Sequence, residues 1–179
     1  MYRSLVGQLN WVNQYTRPDM AFQVSALSKN LKKCASKDMR KLRKIVNVCK
    51  NERMGILLSR LEGNLEIEVY TDASLGKVEE GNLEGGFIVS IRNEKGRHCP
   101  IIWKSRCLKR IARSTIEAEA LALIEGAERG MLVNEWWKEI WKTEIGLPIK
   151  VFTDSKTLHN AVGSMTKVTN MRLRVDMRI

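Results

Sequence analysis

The sequence predicts an α/β domain with a mixed sheet, preceded by a small basic helical unit. Apolar residues recur at helical spacing as far as Met54, and from Leu65 the period switches to strict alternation. Three strand-like runs, a helical stretch, a fourth short apolar run and a last helix then follow in that order. Short connections between the first three runs give three antiparallel strands, and a strand reached through helices pairs parallel.

Leu5, Leu9 and Val12 predict a helix that ends before Arg17-Pro18-Asp19, because the residue before a proline disfavours the helical region. Phe22, Leu27 and Leu31 predict a second helix. Leu42, Ile45, Val46 and Cys49 predict a third, with Ser36 as its expected N-cap. Met54-Gly55 and Glu62-Gly63-Asn64 punctuate the exit, which divides the chain into segments 1–62 and 63–179.

In the second segment, Leu65, Ile67 and Val69 alternate with Glu66, Glu68 and Tyr70 as a half-buried strand, expected to end at Thr71-Asp72. Gly81-Asn82 predicts a turn and Gly86–Ile91 a second strand. Glu94-Lys95-Gly96 has hairpin length, and Pro100–Lys104 reads as a third strand. Ser114 caps the next helix, with Glu117 three residues on as in a capping box. That helix carries Ile116, Ala120, Leu123, Ile124 and Ala127 on one face. A separate helix is expected to hold Trp136, Trp137, Ile140 and Trp141 and to stop at Gly146-Leu147-Pro148. Ile149, Val151 and Phe152 form a short strand ending in Thr153-Asp154-Ser155, and a final helical stretch runs on to Ile179.

Lys and Arg number 31 against 20 Asp and Glu, a net charge of +11 over 179 residues. Such an excess points to a polyanionic partner. The window Lys29–Arg53 holds ten basic residues and two acidic ones, Asp38 and Glu52. Lys32, Lys33, Arg40, Lys41, Arg43 and Lys44 within it are candidate phosphate contacts, and a solvated helix face is the plain alternative. No apolar run approaches the ~20 residues that span a bilayer, and the N-terminus lacks a signal-peptide core, so no membrane partner is expected. Cys34, Cys49, Cys99 and Cys107 form no CxxC pair, and the adjacent His98 and Cys99 would point to opposite faces of a strand. Zinc is not expected, and four reduced thiols suit an intracellular, cytoplasmic or nuclear protein.

The chemistry rests on carboxylates. Tyr70-Thr71-Asp72 and Phe152-Thr153-Asp154 place an Asp at two expected strand ends, where α/β folds put ligands. Between them lies a helix with Glu117 and Glu119 near its start. A single Thr-Asp at a strand end is commonly just a turn or cap. Two of them bracketing an acidic helix in a basic chain favour a metal site, because converging carboxylates need a divalent cation such as Mg²⁺. Two ions ~4 Å apart activate a water and stabilise the leaving oxygen in phosphodiester cleavage.

These residues resemble a known family. Tyr70-Thr71-Asp72-Ala73-Ser74, Trp103-Lys104-Ser105, Arg113–Leu123 and Thr153-Asp154-Ser155-Lys156 are similar, in order and spacing, to the RNase H domain of copia-type retrotransposon Pol polyproteins. Tyr2–Leu9 and Thr16–Ala21 resemble the reverse transcriptase thumb or connection region that precedes it, so the likeness covers nearly the whole chain. The resemblance implies an RNase H-like mixed sheet and cleavage of the RNA strand of RNA–DNA hybrids with two Mg²⁺ ions, or Mn²⁺ in their place. It also implies catalytic and metal-binding roles for Asp72, Glu119 and Asp154, contacts to nucleic acid from Lys104 and Ser114, and partnership with the rest of a reverse transcriptase polyprotein. Periodicity leaves Glu117 and Glu119 both open, since both flank the apolar face. The family's pattern is matched by Glu119-Ala120-Leu121-Ala122-Leu123, and Glu117 suits the capping role. The family's fourth Asp, fifth strand, last helix and late His lack counterparts here. Asp176 matches the helix before that strand, and His159 comes too early. A C-terminally truncated domain is therefore expected.

Other enzymes fit less well. No Glu lies between Ser155 and Ile179, as an Asp, Asp, Glu integrase would need. No Asp-Asp pair serves a polymerase, and no GxxxxGK[ST] serves a P-loop. The rival reading is a nucleic-acid-binding remnant of such a polyprotein, with weak or no catalysis. Trp103, Trp136, Trp137 and Trp141 could stack on bases, though core packing is expected for most of them.

Overall fold

The computed structural model describes residues 1–52, 54–75, 83–108, 112 and 114–163. Arg53, the Gly81-Asn82 turn, Arg113, the helical stretch after Gly163 and Asp176 lie outside the described residues. The chain forms two compact units. One holds Met1–Leu57 with Lys104–Arg106, and the other holds the remaining described residues from Leu58.

In the first unit, α1 (Tyr2–Tyr15), a 3-10 turn (Pro18–Met20), α2 (Ala21–Ser28) and α3 (Ser36–Asn51) surround one apolar cluster. Tyr2, Val6, Leu9, Met20, Val24, Leu27 and Leu42 are buried in it, with Met39, Ile45, Val46 and Cys49 packed alongside. Full burial of each large apolar side chain contributes roughly 1.5–3 kcal/mol. Of the residues that predicted the second helix, Leu27 is buried but Phe22 and Leu31 are exposed. The buried stripe of α2 runs through Met20, Val24 and Leu27 at helical spacing; Phe22 falls off it, and Leu31 lies beyond the helix, which ends at Ser28. The N-cap of α3 is Ala35 and not the expected Ser36. The Asp38 carboxylate takes over the capping, accepting the Ala35 N–H at 2.9 Å. Arg17 is buried and ties the 3-10 turn to the end of α3, donating through Nε and Nη2 to Asp19 and through Nη1 to the Glu52 carbonyl.

The second unit is built on a four-stranded sheet of order β3-β2-β1-β4, formed by β1 (Leu65–Leu75), β2 (Leu83–Asn93), β3 (His98–Cys107) and β4 (Ile149–Thr153). β1 pairs antiparallel with β2 and parallel with β4. The fold is thus the mixed α/β class that the hydrophobic periods indicate. The β2–β3 hairpin closes through an Asn93 N–H bond to the Arg97 carbonyl at 3.1 Å, with Gly96 at φ +78°.

One continuous helix, α4 (Thr115–Trp141), replaces the two expected between β3 and β4. Gly126 and Gly130 do not break it. A Cβ on Gly126 would stand 2.5 Å from Thr71 Cγ2, and one on Gly130 would stand 2.8 Å from Val69 Cγ2. The glycines let α4 lie directly on β1, covering Ile67, Val69, Phe87 and Val89. The helix stops at Lys142, in the left-handed region at φ 48°, ahead of the expected Gly146 stop. Its last turns leave Trp136 and Trp141 outside the core that was expected for them, Trp141 being 64% exposed. Val133 is the last buried residue of the helix. α5 (Lys156–Gly163) follows β4 and packs Leu158 on Ala120. Among the described residues, no helix is long and apolar enough to cross a membrane.

Candidate metal centre

The parallel register of β1 and β4 ends at the pair Thr71 and Thr153. Asp72 and Asp154 are the next residue on each strand, so the register alone brings two carboxylates side by side. β4 ends there, as expected. β1 does not: it continues to Leu75, because β2 goes on pairing with it through Gly86, Gly85, Glu84 and Leu83. Asp72 is therefore held inside a strand on one side and stands at the open end of the parallel pair on the other.

The third carboxylate comes from α4. Ser114 caps the helix, its Oγ accepting the Glu117 N–H at 3.3 Å. Ala118, Ala120 and Ala122 are buried, and their small side chains allow the first turns of α4 to close onto Ala73 and Leu158. Glu119 sits between them. One ligand oxygen from each of Asp72, Glu119 and Asp154 lies within 4.8 Å of the other two. Glu117, in the first turn and half-buried, is not in this group.

The three sites differ electrostatically. Asp72 and Asp154 are exposed, whereas Glu119 is only 5% exposed. Burial pushes the Glu119 carboxyl up to about 7, and the charges of Asp72 and then Asp154 add to the rise. The Ala73 N–H donates to the Glu119 carboxylate and partly offsets this. Its Oε2 is buried with no hydrogen-bond partner. A buried carboxylate with one orphaned oxygen, grouped with two further carboxylates, is poorly stabilised by protein groups alone. An all-oxygen donor set of this kind fits a hard divalent cation such as Mg²⁺ or Mn²⁺.

The remaining candidates are placed as follows. Lys32 and Lys33 are exposed between α2 and α3. Arg40, Lys41, Arg43 and Lys44 are exposed on α3, off the face that buries Leu42. Lys104 is exposed on β3, and Ser114 is half-buried at its cap. Two features escaped the sequence reading. Glu68, expected on a half-solvated strand face, is 1% exposed. It accepts hydrogen bonds from Tyr70 Oη at 2.8 Å and Arg92 Nη1 at 2.9 Å, with His98 Nδ1 at 3.4 Å. Thr71 is buried, and its Oγ1 donates to the Phe152 carbonyl at 3.1 Å. The repeated Thr-Asp was the available signal for Thr71; nothing in the alternation distinguished Glu68 from Glu66.

No protein-family model matches the chain. It is 29% identical over 109 residues to the transposon Ty5-1 protein YCL074W of Saccharomyces cerevisiae, covering 60% of this chain and 34% of that protein. It is 32% identical over 121 residues to the retrovirus-related Pol polyprotein from transposon RE1 of Arabidopsis thaliana, covering 66% of this chain and 8% of the polyprotein. The chain thus spans about a third of the yeast relative and under a tenth of the plant one. Among solved structures it is similar to LC11-RNase H1, isolated from compost, at 20% identity and a TM-score of 0.37, over 63% of this chain and 70% of that one.

Proposed function

We propose that this chain, a homologue of retrotransposon Pol polyproteins, acts as the ribonuclease H part of such a polyprotein and cleaves the RNA strand of RNA–DNA hybrids. The observation that carries the reading is the convergence of Asp72, Glu119 and Asp154 from two strands and a helix. These three carboxylates would hold the divalent ions, two Mg²⁺ or Mn²⁺ in their place. The orphaned Oε2 of Glu119 would gain there the partner it lacks. Bound metal supplies an activated water and charge neutralisation at the leaving oxygen. Glu119 retains its proton below about pH 7, so metal binding there must displace it and weakens as pH falls.

Segment 1–62 takes the role of a thumb or connection region and segment 63–179 that of the nuclease domain. Lys32, Lys33, Arg40, Lys41, Arg43 and Lys44 grip phosphates without reading sequence. Lys104 and Ser114 complete the contacts to nucleic acid. The RNA strand is selected through its 2′-hydroxyl, and the products carry a 5′-phosphate and a 3′-hydroxyl. The partners are the hybrid and the rest of the polyprotein, in the cytoplasm or nucleus. A second reading, a binding module with little catalysis, draws on the ten basic residues of Lys29–Arg53.

Asp154→Asn separates the two. The catalytic reading expects hybrid cleavage to vanish while hybrid binding stays near the wild-type level. Wild-type protein that binds the hybrid in Mg²⁺ and Mn²⁺ without cutting it would leave the binding module standing.

A further inference from the structure

We infer that Thr71 is a positioning residue that sets the spacing of the three carboxylates; the inference rests on reading that cluster as a metal centre. Thr71 touches all three elements that deliver an acid. It directly precedes Asp72 on β1. Its Oγ1 donates to the Phe152 carbonyl of β4, two residues before Asp154, at 3.1 Å. Its Cγ2 lies against α4 at Gly126, where a Cβ would come within 2.5 Å of it. Gly126 is seven residues, two helical turns, from Glu119 and on the same face. The hydroxyl therefore ties β1 to β4 at the end of their backbone ladder, and the methyl limits how closely α4 approaches β1 at Gly126.

Its pair mate works from the other side. Thr153 Oγ1 accepts the Ser155 N–H at 3.2 Å, and Ser155 Oγ accepts the Leu158 N–H at 3.3 Å, turning the chain into α5 directly after Asp154. With β4 pinned at Phe152 and turned at Ser155, Asp154 has little freedom to drift from Asp72. A metal site with a loosened ligand loses affinity even when every ligand remains.

Mn²⁺ binding by calorimetry on the full chain tests this without requiring cleavage. Thr71→Val keeps the packing and loses the hydroxyl. It should bind Mn²⁺ about tenfold more weakly, close to what one lost hydrogen bond makes. Thr71→Ser restores the hydroxyl and should bind within about threefold of wild type. Gly126→Ala should weaken binding by pushing α4 off the Thr71 methyl. Combined with Thr71→Ser, which lacks that methyl, it should recover part of the loss, a non-additivity that independent structural damage would not give. Asp154→Asn serves as the control. If it abolishes binding while Thr71→Val and Gly126→Ala bind as wild type, the role of Thr71 is overturned and the metal centre stands. If it binds as wild type, the metal centre itself falls. Should Thr71→Val fail to fold, the Gly126→Ala and double-variant comparison decides, and additive losses there overturn the proposal.

Discussion

Glu119→Gln should stabilise the metal-free protein at pH 8 and much less at pH 5. The wild-type carboxyl is displaced from its ordinary 4.5 to about 7, first by burial and then by Asp72 and Asp154. At ~1.4 kcal/mol per pKa unit, that is roughly 3 kcal/mol. The sign follows from linkage. The folded chain holds this proton more tightly than the unfolded chain, so stability is greatest below about pH 4.5. It falls as pH rises through about 7 and stays low above it. Gln resembles the protonated acid, still accepts from the Ala73 N–H, and never ionises. At pH 5 both folded proteins are neutral at this position, and they should unfold within about 1 kcal/mol of one another, the unfolded wild-type carboxyl being already partly ionised. At pH 8 only the wild type carries the buried charge, and the variant should gain roughly 2–3 kcal/mol. Urea unfolding in EDTA at the two pH values measures the difference. Added Mg²⁺ should reverse the order at pH 8, because only the wild type retains the full ligand set. A variant that loses stability equally at both pH values, or a wild type whose stability is flat between them, would refute the reasoning.

Further outcomes follow from the packing and the charge. Gly130→Ala places a Cβ 2.8 Å from Val69 Cγ2 and 3.4 Å from Ile149 Cγ2, and should cost about 1–3 kcal/mol. A wild-type urea midpoint would show that α4 is not pressed onto β1 there. Reversing Lys41, Arg43 and Lys44 to Glu should weaken hybrid binding and flatten the log–log salt slope by about 3. An unchanged slope would make that face of α3 a solvated surface and nothing more.

Strand and helix identity were legible wherever one face is buried. Ile67 and Val69 alternate because α4 covers one side of β1, and Leu42 with Ile45, Val46 and Cys49 repeats because α3 lies on its neighbours. The three carboxylates were legible because each lies in a short local pattern. What was not legible depends on neighbours distant in sequence. β1 runs past Asp72 because β2 pairs with it there. Glycine weakens a helix in general, yet Gly126 and Gly130 are where α4 meets β1. Glu68 is buried by Arg92, His98 and Tyr70, partners that alternation cannot reveal. Core packing was expected for most of the Trp residues, but the helix outruns its buried stripe after Val133 and leaves Trp136 and Trp141 exposed.

The most direct test of the metal-centre account is cleavage of an RNA–DNA hybrid labelled on both strands, with Mg²⁺ and with Mn²⁺, by wild type and by Asp72→Asn. The account predicts metal-dependent cutting of the RNA strand alone, lost in folded Asp72→Asn protein that still binds the hybrid. Cutting that survives in Asp72→Asn, or cutting of the DNA strand as readily as the RNA, would contradict it.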